Sequence, residues 1–221
     1  MLVQPAQSLT DLLLGLATLA LGLHLRTLPG VNRHWITAFW WFAIAALAGA
    51  IHHGFIVSSP HAAEISWTVI SVVVVIAVSY LLAATVAEVL GPGHQRAFWL
   101  LRSVGLTAYL TLAVTGHAGV GAILACESLT MLSILVLWGW AARRHHPMAR
   151  GAMIAIAASG AAAGVKELSP SLLLGFNPTA AYHLAQLIGM VLFYRAVAAS
   201  STRRAAGTAP PQSIGQPVPT R

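Results

Sequence analysis

The chain has 221 residues, of which 57% are hydrophobic and only 8% are charged. A soluble domain carries about a quarter charged residues, so this composition excludes a soluble globular protein and indicates that lipid is the solvent. The net charge of +7 does not indicate nucleic acid as a partner. The cationic residues lie in short connections between apolar segments, where they set the orientation of a protein in a membrane.

Seven apolar segments are long enough to cross a membrane as helices, which takes about 20 residues. Proline and glycine lie between them, as in Gly91-Pro92-Gly93 and Asn177-Pro178. An open sheet edge cannot be satisfied in lipid, so the sequence predicts an all-α polytopic membrane protein with seven transmembrane helices. The segments lie near 8–28, 34–57, 65–90, 97–116, 119–141, 149–168 and 179–199.

Arginine residues mark alternate connections between these segments. The second, fourth and sixth connections contain no arginine. Because the loops are short, the positive-inside rule applies directly. It predicts that the odd connections and the C-terminus are cytoplasmic and that the N-terminus lies outside. The arginines beside the odd connections and after the last segment are Arg26, Arg33, Arg96, Arg102, Arg143, Arg144, Arg150, Arg195, Arg203 and Arg204.

The last residues differ in composition from the rest of the chain. From Ser200 onward the sequence is rich in small residues and proline, and such a segment cannot bury enough apolar surface to order itself. We therefore predict a transmembrane domain over residues 1–199 and a disordered cytoplasmic tail over residues 200–221.

Ionisable residues inside the predicted helices are costly in a bilayer and suggest a functional site. At a rise of 1.5 Å per residue, His52, His53, His183, Asp11 and Glu127 fall in one layer of the outer leaflet. Successive residues point about 100° apart, so which of the two adjacent histidines faces the interior stays open. The alternative is that each is a hydrogen-bonded core residue, and Asp11 also suits the start of a helix.

The seventh segment carries a local polar pattern. His183, Gln186 and Met190 fall at i, i+3 and i+7, which is one face of a helix. A ligand histidine with a glutamine one turn below it, holding the histidine or a substrate, would explain this spacing. The alternative is a packed histidine bonded within its own helix.

These residues support two classes of function. In the first, His52 or His53 with His183 and a carboxylate binds zinc or iron, and the protein is a metal-dependent hydrolase of a lipid-like substrate at the outer leaflet. Glu127 or Asp11 then serves as the catalytic carboxylate, and Gln186 contacts the substrate.

The second class is not catalytic. Two histidines at similar depth suit bis-histidine haem, and a quinone or another lipophilic small molecule fits the same layer. The protein would then bind, sense or transport that molecule, or serve as an accessory subunit among membrane lipids.

Three segments carry a resemblance to known proteins. The stretches TDLLLGLATLALGL (Thr10–Leu23), AGAIHHGF (Ala48–Phe55) and YHLAQLIGMVLFYRA (Tyr182–Ala196) resemble a family of uncharacterised bacterial seven-helix membrane proteins. This resemblance implies a multi-pass protein of the bacterial inner membrane.

A more distant similarity is to the seven-helix hydrolase superfamily of alkaline ceramidases and adiponectin receptors. These bind zinc with one histidine of the second helix and an HxxxH pair in the seventh. The resemblance implies His52 or His53, and His183, as zinc ligands. The chain departs from that pattern, because Leu187 and Thr179 flank His183 at four residues, so the similarity concerns the fold more than the chemistry.

Overall fold

The computed structural model of the protein describes residues 1–117, 120–168 and 178–207. In these ranges the chain is all-α, as the sequence predicts, and a π-helical turn at His52–Ile56 continues the second helix. The seven α-helices are α1 (Pro5–Thr27), α2 (Arg33–Ile51), α3 (Pro60–Val89), α4 (Gln95–Val114), α5 (Val120–Arg143), α6 (Ala149–Leu168) and α7 (Pro178–Gly207).

Five helical stretches in the described ranges are long and apolar enough to span a membrane. Large apolar side chains on the outside of the bundle stay exposed, such as Leu100 at 70% and Val136 at 63%. Water would penalise such a surface, whereas lipid favours it. The protein is therefore a membrane protein. The five stretches are Pro5–Thr27, Arg33–Ile56, Pro60–Val89, Ala125–Arg143 and Pro178–Arg203.

The first and last helices are neighbours in the bundle. α1 packs against α2 and α7, α2 packs against α3, and α3 packs against α5. Aromatic rings fill the core between them, with Trp35 stacked on Trp138 at 6.4 Å between ring centroids. The indole of Trp138 donates a hydrogen bond to Thr85 Oγ1 at 3.2 Å. Contact between α1 and α7 brings residues from the two ends of the sequence together.

Glycine allows α1 and α2 to approach closely. A Cβ added at Gly15 would lie 2.7 Å from Cγ of Leu47, and one added at Gly49 would lie 2.6 Å from Oδ2 of Asp11. Real carbon atoms do not come so close, so only glycine permits this packing. As a result the carboxylate of Asp11 rests directly on the backbone of α2.

The end of α7 lies beyond the predicted boundary at residue 199. The helix continues to Gly207, and Ser200 and Ser201 are buried. Ser200 Oγ donates to Oε1 of Glu88 at 3.4 Å, and Ser201 Oγ donates to the carbonyl of Pro29. Residues 200–207, predicted to be disordered, are thus helical, while residues 208–221 of the predicted tail lie outside the described ranges.

Candidate functional site

A cavity of about 360 Å³ lies inside the bundle, among α1, α2, α3 and α7 with contributions from α5 and α6. Its wall is mostly apolar. The polar groups that line it are of a few kinds only: a carboxylate, two imidazoles, an amide and three hydroxyls, besides the indole of Trp67. The residues that supply them are Asp11, His53, His183, Gln186, Tyr182, Ser159 and Thr18.

Asp11 and His183 join the first helix to the last across this cavity. Nδ1 of His183 lies 3.2 Å from Oδ1 of Asp11 and 3.2 Å from Oγ1 of Thr10. Both members of the pair are buried, Asp11 to 5% exposure and His183 to 8%. A carboxylate at such a position requires a partner, and the imidazole N–H is the group that supplies it.

His53 approaches the other oxygen of the same carboxylate. Its Nε2 lies 3.9 Å from Oδ2 of Asp11, while its Nδ1 donates to Oε1 of Gln4 at 2.6 Å. The rings of His53 and His183 are 6.2 Å apart between centroids. One carboxylate therefore stands between two imidazoles, and we call Asp11, His53 and His183 the Asp11 cluster.

The two adjacent histidines at the start of the π-helical turn have different surroundings. His53 lines the cavity, whereas Nδ1 of His52 lies 3.2 Å from Oγ of Ser66. The ring of His52 also packs on Trp67 at 5.3 Å. The structure thus places His53 in the cluster and His52 beside it.

Gln186 lies on the cavity face of α7, as its spacing from His183 predicts. Its amide nitrogen donates to the hydroxyl of Tyr182 at 2.7 Å. Met190 lines the cavity on the same face, deeper among the apolar side chains. The face predicted from the i, i+3 and i+7 pattern therefore points into the cavity, and the role of Gln186 toward a substrate stays a prediction.

Glu127 belongs to a second buried polar cluster, between α4 and α5. Its Oε1 accepts a hydrogen bond from Nη2 of Arg102 at 3.0 Å, and Nη1 of Arg102 donates to Thr130 Oγ1 at 2.6 Å. Arg102 is only 3% exposed. The two carboxylates predicted to share one layer thus have different partners, imidazoles for Asp11 and a guanidinium for Glu127.

From the sequence, Arg102 lies beside the third connection and is a candidate partner for Glu88, whereas the structure pairs it with Glu127. A signal was present, because Arg102 stands about one and a half turns inside the predicted helix. An arginine at that depth needs a buried partner, and Glu127 in the neighbouring helix is the carboxylate that meets this need.

The Asp11 cluster holds the donor atoms that a His₂-carboxylate metal site requires. In the parts of the chain that the structure describes, however, no group of three or more histidine, cysteine or acidic residues is arranged to hold a metal ion. Metal ligation by His52, His53 and His183 therefore stays a prediction. Haem ligation by two histidines likewise stays a prediction.

The sequence matches the family described as a family of unknown function, DUF6962, over residues 6–202. The matched range includes the whole Asp11 cluster and the cavity. No curated protein matches the chain, and no solved structure does.

Proposed function

The chain belongs to DUF6962, a family of unknown function, and we propose that it binds a lipophilic small molecule inside the membrane. The polar group of the ligand would contact the Asp11 cluster, and its apolar part would fill the cavity. One observation carries this proposal. The cavity of about 360 Å³ is of the size of small-molecule sites, about 300–1,000 Å³, and a buried carboxylate between two imidazoles lines it.

The chemistry of the wall indicates the class of ligand. An anionic group would be repelled by the carboxylate of Asp11 in a medium where charges interact strongly. A hydroxyl can donate to the carboxylate or to the Nε2 of an imidazole, and it can accept from the amide of Gln186. Phe39, Phe42 and Phe193 line the apolar part. We therefore propose a neutral alcohol, phenol or quinol on an apolar body.

We also propose that all seven helices cross the membrane, with the N-terminus outside and the C-terminus in the cytoplasm of a bacterial cell. The arginine asymmetry supports this orientation. It places the Asp11 cluster toward the outer leaflet. A reporter inserted between Ser58 and Glu64 should then be accessible from outside, and one fused after Arg204 should be cytoplasmic. A cytoplasmic reporter between Ser58 and Glu64 would overturn the orientation.

A metal-dependent hydrolase of a lipid-like substrate is the second candidate. It is favoured by one contact, the single carboxylate of Asp11 beside both His53 and His183, because two imidazoles and a carboxylate are ligands that catalytic zinc uses. Zinc, when bound, would activate a water for attack on the substrate. In this candidate Glu127 is not the base, since its contacts are with Arg102.

The test of ligand binding compares two variants of the cavity with a matched control. Binding of decylubiquinol to purified protein is followed by tryptophan fluorescence, since Trp67 lines the cavity. Asp11→Asn removes the charge at the polar end, and Ala46→Leu fills apolar volume. Each should weaken binding about tenfold, as loss of one good contact does. Ser79→Ala, which alters a helix residue that does not line the cavity, should bind as wild type.

Metal analysis of the same sample separates the two candidates. Stoichiometric zinc that is lost in His183→Ala would favour the hydrolase. Wild-type protein that binds decylubiquinol and contains no stoichiometric metal would favour the binding protein. If decylubiquinol and related alcohols and phenols do not bind to the wild type, the binding proposal is wrong.

A further inference from the structure

A second cleft opens where α2 begins and α3 ends. It has a volume of about 550 Å³ and lies among α2, α3 and α4. Its polar lining includes a guanidinium, two imidazoles and an amide, together with the rings of a tyrosine and a tryptophan. These groups belong to Arg33, His34, His94, Gln95, Tyr80 and Trp99.

The charge of this cleft is not neutralised from within. Among the described residues that line it, none is a carboxylate, and Arg33 is exposed. The chain has 12 lysine and arginine residues but only 5 aspartate and glutamate residues. Of these five, Asp11 and Glu127 have partners in the buried clusters described above. Arg33 forms no ion pair with a carboxylate of the described residues, so it is open to an anion from outside the protein.

The aromatic residues place the cleft at the height of lipid headgroups. Trp99 is 64% exposed, and the ring of Tyr80 packs near that of His34 at 6.1 Å between centroids. Tryptophan and tyrosine favour the boundary between the hydrocarbon and the headgroups. Below this level α4 exposes Leu100 and Val104, along which acyl chains can lie.

We propose that this cleft binds the phosphate headgroup of an anionic phospholipid from the adjoining leaflet. Arg33 contacts the phosphate through its planar set of N–H donors, and the amide of Gln95 adds a further donor. Tyr80 and Trp99 border the glycerol region. Basic pockets between helices are known to hold such headgroups. This site is separate from the cavity at the Asp11 cluster, and it does not depend on the function proposed there.

The test measures the binding of single phosphatidylglycerol and phosphatidylcholine molecules to the full chain in detergent by native mass spectrometry. Wild type should bind the first phosphatidylglycerol more tightly than phosphatidylcholine. Arg33→Gln should weaken the binding of phosphatidylglycerol about fivefold, the value of one basic residue beside an anionic surface. Arg33→Lys should retain part of the preference. Arg143→Gln removes an exposed arginine of α5 that does not line the cleft. It should change the binding of phosphatidylglycerol less than about twofold.

Melting temperatures measured with added lipid form a second arm. Phosphatidylglycerol should stabilise the wild type more than Arg33→Gln, and inorganic phosphate at the same concentration should stabilise neither. Equal losses for Arg33→Gln and Arg143→Gln would show that attraction is spread over the surface and would overturn the proposal. Stabilisation by inorganic phosphate equal to that by phosphatidylglycerol would contradict a lipid as the ligand.

Discussion

Oδ1 of Asp11 in the first helix lies 3.2 Å from Nδ1 of His183 in the last helix. This contact links positions 172 residues apart, obtained as 183 minus 11, and it stands at the polar end of the cavity. In lipid neither group has water as an alternative partner. The pair therefore contributes to the packing of α1 on α7 as well as to the chemistry of the site.

The first prediction concerns the coupling of this pair. Asp11→Ala and His183→Ala should each destabilise the protein on the order of 1–3 kcal/mol, because each leaves a buried polar partner without its bond. The double variant should cost less than the sum, with a coupling on the order of 0.5–3 kcal/mol. The measurement is the free energy of unfolding in mixed micelles. Asp11→Ala combined with Thr37→Ala, a half-buried residue of α2 whose hydroxyl bonds to the carbonyl of Arg33, should be additive, and additivity for the buried pair would argue against the contact.

The second prediction uses two glycines with opposite surroundings. Gly49→Ala would put a Cβ 2.6 Å from Oδ2 of Asp11, whereas Gly160 in α6 has nothing within 4 Å of its added Cβ. Gly49→Ala should therefore destabilise the protein by about 1–3 kcal/mol, the usual cost of overpacking, and should displace the carboxylate and weaken binding of decylubiquinol. Gly160→Ala should be neutral or slightly stabilising, since alanine favours a helix.

Thermal unfolding and ligand titration of the two variants check this prediction. The control shares the residue type, the substitution and the helical backbone, so intrinsic helix propensity cancels in the comparison. Equal effects at the two positions would mean that α1 does not lie against α2 at Gly49.

The third prediction concerns the ion pair between α4 and α5. Glu127→Gln should destabilise the protein by about 3–5 kcal/mol, because it leaves the guanidinium of Arg102 buried without a counter-charge. The double variant Arg102→Met/Glu127→Leu removes both charges and should recover most of that loss. It should also bind decylubiquinol as wild type, since neither residue lines the cavity. Loss of ligand binding in a well-folded double variant would show that the two polar clusters are linked.

Much of the fold follows from residue pattern alone. The length of each apolar run, bounded by proline and glycine, predicts most helix ends within a few residues, because spanning a bilayer imposes a minimum length; the C-terminal end of α7 is the exception. Depth along each helix also brought Asp11, His53 and His183 into one layer. Their contact follows from the packing of α1 on α7, which no local pattern encodes.

Other features of the site could not be predicted from the sequence. A regular helix fixes the angle between His52 and His53 but not which of them points into the bundle, which depends on how α2 packs on its neighbours. Glu127 lies at a depth similar to that of the histidines, yet its direction around α5 brings it to Arg102. The sequence gives the position of a residue along its helix, but residues form one site only if their side chains also point toward one another.

The last prediction concerns the end of α7. A chain that ends at Ala199 loses the contact of Ser200 with Glu88 and that of Ser201 with Pro29, together with the hydrogen bond from Arg203 to the carbonyl of Pro147 at 3.1 Å. Each hydrogen bond contributes on the order of 1 kcal/mol. The melting temperature of the chain that ends at Ala199 should therefore fall measurably below that of the full chain. A chain that ends at Gly207 keeps all three contacts, and its melting temperature should match the full chain, because the sequence beyond it offers no apolar periodicity to pack on the bundle. The two truncations, compared by thermal unfolding in one detergent, separate the contribution of the last helical turns from that of the proline-rich segment. Equal stability of both truncations would show that the contacts of residues 200–203 do not hold α7 in place.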